Sequence, residues 1–189
     1  MSLYINNGAL GAMEHTGTAA SALALSVPVA AGALLLKTES LLGIGAALML
    51  LTALALAFLG GAALAGWRPL RERPALAMLR YGFLLAAAGW LLTLLMLFGG
   101  HDWLVLLPGI ALGGLGQGVA YRTAVGEGAL AVARRLTTVV TIVAVGVAVL
   151  LVQTYAAPGA RGSCFALALL VDLALLGALM ARVAERDGA

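Results

Sequence analysis

The chain has 189 residues, 63% of them hydrophobic and only 10% charged, with a mean hydropathy of +1.08. A soluble domain carries about 25% charged residues, so this composition excludes a water-soluble fold and implies an integral membrane protein. The net charge of +3 does not point to nucleic acid, because no basic stripe with interleaved aromatics exists. The single Cys164 excludes an intramolecular disulfide, a cysteine metal cluster and a CxxC redox pair.

Residues Met1 to Gly17 contain no Lys or Arg. The stretch therefore lacks the basic n-region of a signal peptide, and the first apolar run reads as a retained helix. Six apolar segments follow one another at about 17–36, 41–66, 76–98, 103–122, 135–156 and 163–182. Each is long enough to cross ~30 Å of hydrocarbon as a helix rising ~1.5 Å per residue. A membrane barrel needs short alternating segments, whereas these runs are continuous. The expected fold is all-α: one polytopic domain of six transmembrane helices over residues 1–189.

The loops set its orientation. Arg68, Arg71 and Arg73 form a basic turn after the second segment, with Arg80 just beyond it. Arg122, Arg134 and Arg135 flank the fourth connection, and Arg182 and Arg186 lie at the C-terminal end. With six crossings all nine fall on one side, leaving only Lys37 and Arg161 on the other. Basic loops stay cytoplasmic, so both termini are expected in the cytoplasm. Trp67 and Trp103 stand at segment ends, where interfacial aromatics are found.

Asp172 is the sharpest single residue, about ten residues into the sixth segment and so near the bilayer midplane. A carboxylate there costs on the order of 2.5–3.5 kcal/mol on insertion scales, and such residues face a bundle interior or a wet cavity. It is a candidate proton or substrate site; the alternative is a residue that only holds helices together. Ser26, Thr52, Gln117 and Thr141 fall at similar depth and join it as candidates, since transporters bind substrate near the midplane, although such residues more often make helix–helix hydrogen bonds than substrate contacts. Trp90, inside the third segment, reads as a packing residue. In the fourth segment Gly109 and Gly113, and Gly114 and Gly118, are spaced four apart, which lets a neighbouring backbone approach closely. A phosphate loop would need a preceding strand, which is missing. Glu14-His15 and His101-Asp102 lie on opposite membrane faces and cannot converge. With no nucleophile–base arrangement or carboxylate cluster, no enzyme, metal site or cofactor is expected.

From Leu41 onward the order of features resembles the C-terminal six-helix half of a major facilitator superfamily transporter of the drug:proton antiporter group. Leu41-Leu42-Gly43-Ile44-Gly45 is similar to the opening of that family's eighth helix. Gly66-Trp67-Arg68-Pro69-Leu70-Arg71-Glu72-Arg73 is similar to its basic cytoplasmic turn, Pro108 to Gly118 to its glycine-rich tenth helix, and Ala133-Arg134-Arg135-Leu136 to the entry of its eleventh. Leu70 stands where the family carries an acid. The family's proton-coupling acids lie mainly in its N-terminal half, so the resemblance assigns Asp172 no role. It implies secondary transport of a small, apolar or cationic compound across a bacterial plasma (inner) membrane, and a partner in the lipid bilayer: a second copy in a homodimer, or a separate six-helix half. The alternatives are a non-transporting membrane subunit, such as the substrate-capture subunit of an ATP-driven importer, or an inactive gene fragment.

Overall fold

The computed structural model describes residues 7–37, 43–67, 73–99, 103–126 and 160–187, and among these every regular element is an α-helix. In chain order they are α1 (Asn7–Lys37), α2 (Ile44–Ala65), α3 (Ala75–Gly99), α4 (Trp103–Gly126) and α5 (Ala160–Asp187). They occupy the first, second, third, fourth and sixth predicted segments. The fifth, at 135–156, lies outside the described residues, together with Thr141, Arg134 and Arg135. Among the described residues four stretches are long and apolar enough to cross a membrane: Ile44–Ala65, Ala75–Leu97, Leu104–Val125 and Ala166–Val183. The described apolar part of α1, Ala19–Leu35, is shorter.

Alanine and leucine, both strong helix formers, dominate these runs, and a helix satisfies its own backbone where no water can. The boundaries are set locally. Gly43 precedes α2 at φ 82°, a left-handed conformation that a side chain disfavours. At the other end of α2 the amides of Gly66 and Trp67 bond back to the carbonyls of Ala63 and Leu64, each at 3.0 Å, tightening the last turn.

Two buried clusters give four of the described helices their direction. One gathers Ala20 and Ala24 of α1, Leu79 and Phe83 of α3, Ala120 of α4, and Ala178 and Ala181 of α5. The other gathers Val27 to Leu35 of α1, Leu50 and Leu54 of α2, Ala86 to Trp90 of α3, Leu106 and Ile110 of α4, and Ala166 to Ala174 of α5. Helices α1 and α3 therefore run from the first cluster to the second and α4 and α5 the opposite way; α2 runs with α4, since Gly114 meets Leu54 and Gly118 meets Phe58. The chain leaves α4 at one end of the bundle and enters α5 at the other.

Helix α4 is central. It packs against α3, α2 and α1, while α5 packs against α3 and α1. Of its apolar stretch 56% is buried, against 22% for α2. Peripheral α2 turns Ile44, Met49, Leu56 and Leu59 outward, a surface that hydrocarbon tolerates and water does not.

Candidate functional site

The glycines of α4 serve two different neighbours. A β-carbon at Gly109 would lie 2.7 Å from the backbone nitrogen of Thr93, and Gly113 and Gly116 meet Gly89 and Gly82 of the same helix α3. Gly114 and Gly118 instead meet Leu54 and Phe58 of α2. The two pairs read from the sequence thus mark two faces, one for each neighbour. The matching surface on α3 is Gly82, Ala86 and Gly89, small residues at intervals of four and three that the sequence reading passed over. Without a hydrophobic drive between helices in lipid, this close approach is what holds them together.

Between those two faces, seven residues along from Ile110, α4 presents Gln117 to the interior. Gln117 is fully buried, and neither Oε1 nor Nε2 has a hydrogen-bond partner among the described residues. One turn away the indole of Trp90 lies over Gly113, buried as well, and its Nε1 also lacks a partner. Unpaired groups at such depth cost about 1–3 kcal/mol each. Together they offer three N–H donors, two on the amide and one on the indole, and one carbonyl acceptor inside the bundle.

The remaining candidates are spread out. Ser26 is buried on α1, and its hydroxyl donates to the carbonyl of Leu23 at 3.2 Å. Helix α1 packs against α4, but no hydrogen bond joins Ser26 to Gln117. Thr52 is exposed on α2 and donates to the carbonyl of Leu48 at 2.8 Å, which satisfies it within its own helix. Thr141 lies outside the described residues.

Asp172 is exposed, on the outer face of α5. The same face carries Leu175, Leu176, Leu179 and Val183, all exposed, at the three- and four-residue intervals of one helical stripe. The sequence reading placed the carboxylate toward an interior or a wet cavity; instead its helix buries Leu170, Ala174, Gly177 and Ala178, and Asp172 falls on the opposite side. No described cation pairs with it. It stands about 15 Å along the helix axis from Arg182, which is half of a ~30 Å hydrocarbon layer.

The basic residues collect at one end. Arg73, Arg80, Arg122, Arg182 and Arg186 are at or beyond the smaller cluster of Phe83 and Ala120, whereas Lys37 and Arg161 belong to the opposite ends of their helices. Arg68 and Arg71 lie outside the described residues. Exposed Trp67 and Tyr81 ring the basic end, with Arg80 5.1 Å from the Tyr81 ring centroid; Trp103 opens α4 at the other end. No group of His, Cys, Asp and Glu able to hold a metal ion occurs among the described residues.

The chain matches no protein-family model, no curated protein and no solved structure.

Proposed function

We propose that the protein is one half of a facilitator-type secondary transporter, moving a small apolar or cationic molecule across the bacterial plasma membrane in exchange for protons. In this reading it has six crossings and both termini in the cytoplasm. It works paired with a second six-helix bundle, either another copy of itself or a separate half.

The observation that carries the proposal is the position of Asp172. A carboxylate at mid-depth on the outer face of a spanning helix costs about 2.5–3.5 kcal/mol against lipid, a cost that a second bundle packed on that face relieves. Covered in this way, Asp172 lines the seam between two bundles, where transporters of repeated architecture place substrate and coupling ion. The opposite senses of α1 and α5 fit termini on one side, and the collected arginines fit that side being cytoplasmic. Gln117 and Trp90 supply hydrogen-bonding capacity on the inner side of the bundle.

The test is flux. Reconstituted into proteoliposomes under an imposed proton gradient, the protein drives uptake or efflux of lipophilic cations such as ethidium, and collapsing the gradient stops it. Absence of flux from folded protein overturns the proposal. Co-purification with an ATPase module would transfer it to the substrate-capture class.

A further inference from the structure

A second feature lies on the side of the bundle formed by α2 and α4, away from α5. An open groove of about 1250 Å³ runs between these two helices. Small residues, among them Ala53, Ala57 and Gly60 on α2 and Ala111 on α4, line it together with leucines of both helices, and it ends at Trp67 and Arg122. A β-carbon at Gly60 would touch nothing within 4 Å, so this glycine is not needed for contact among the described helices. It leaves space.

The dimensions and chemistry of the groove match one class of molecule. The rise from Ala53 to Gly66 along α2 is about 20 Å, a little more than the ~15 Å depth of one leaflet's hydrocarbon. The apolar channel therefore begins near mid-depth and reaches the membrane surface where the guanidinium of Arg122 stands. That guanidinium is exposed and has no partner among the described residues, and it sits at the end of the bundle where Arg73, Arg182 and Arg186 also lie. Guanidinium binds phosphate through paired N–H donors, and an indole at the same level suits the headgroup region. We infer that the α2–α4 groove holds an anionic phospholipid, its acyl chain along Ala53, Ala57 and Gly60 and its phosphodiester on Arg122. This site depends only on the spanning arrangement and stands whether or not the bundle transports.

Trp67 reports on the site. In vesicles containing dibrominated phosphatidylglycerol or dibrominated phosphatidylcholine, bromine within contact distance quenches indole emission, and the Trp67→Phe protein isolates the contribution of Trp67. The anionic lipid is expected to bind about five-fold more tightly than the zwitterionic one, the gain expected for one basic residue at an anionic surface. Arg122→Gln abolishes the preference while leaving quenching by both lipids. Gly60→Leu fills the channel and lowers Trp67 quenching by both. Arg186→Gln, at the same end but outside the groove, changes neither. Equal affinity for the two lipids in the unmodified protein, or a preference that survives Arg122→Gln, overturns the proposal. So does a Trp67 shielded from both lipids, which would place a protein partner in the groove. Each variant is first shown to elute as the parent does.

Discussion

The six-membered ring of Trp90 covers Gly113: a β-carbon at that glycine would come within 2.9 Å of the Trp90 Cε2 atom. The contact lies beside the larger buried cluster, and Trp90 is the largest fully buried side chain among the described residues. It also explains why a tryptophan can lie inside a spanning segment without a hydrogen bond at Nε1: the ring is held by packing.

Gly113→Ala should therefore destabilise the bundle. Overpacking costs roughly 1–3 kcal/mol, only partly offset by about 1 kcal/mol from better helix propensity. Gly60→Ala, with open space around its β-carbon, should gain the propensity term alone. Unfolding of the two variants in mild detergent checks this through the sign of each change; equal shifts would mean that the α3–α4 approach is looser than described.

Gln117→Leu separates stability from function. Leucine has a similar volume and removes two unpaired polar atoms, each costing about 1–3 kcal/mol, so the variant should be as stable as the parent or more so. If Gln117 meets substrate, flux falls at the same time. Greater stability with undiminished flux would leave the glutamine without a role in transport.

Asp172→Asn should insert and fold normally, because the side chain is exposed, yet abolish flux driven by a proton gradient. In the same membranes Leu176→Cys, one turn along, should cross-link between bundles in a Cys164→Ser background. Leu59→Cys, exposed on α2, should not. Unchanged flux assigns Asp172 to packing against its partner, and a strict monomer removes the partner.

Orientation is open to a direct check. Arg186→Cys should react with a membrane-impermeant maleimide only after cells are opened, and Lys37→Cys should react in intact cells. Both are read in the Cys164→Ser background. Labelling of the two from the same side would contradict the charge asymmetry.

Much of the fold was legible in the residues. Continuous apolar runs gave four helices within a few residues of their observed bounds, since backbone hydrogen bonding in hydrocarbon leaves little alternative to a helix. The glycine spacing of α4 announced close packing. Its partner on α3 was equally visible, as Gly82, Ala86 and Gly89, but small residues gain meaning only when a facing helix is known. The candidate site was less legible. Depth along a helix follows from counting residues, which is why Ser26, Thr52, Gln117 and Asp172 were grouped, but direction around the helix depends on the neighbours. The structure buries Gln117 and Ser26, and it turns Thr52 and Asp172 outward.

By itself, then, the sequence determined what one-dimensional quantities determine: membrane residence from composition, helix from run length, and the collection of arginines toward one end of the bundle. These depend on hydration and charge along the chain, and each residue contributes independently of distant ones. Only the tertiary structure decided which face of each helix is shared. It placed the Asp172 carboxylate on the outer stripe of Leu175 and Leu179 and left two polar side chains unpaired beneath Gly113. It also left the channel at Gly60 open toward Arg122. The reason is physical: in lipid both faces of such a helix are apolar, so hydropathy cannot tell inside from outside, and only the fit of small residues against neighbouring backbone does.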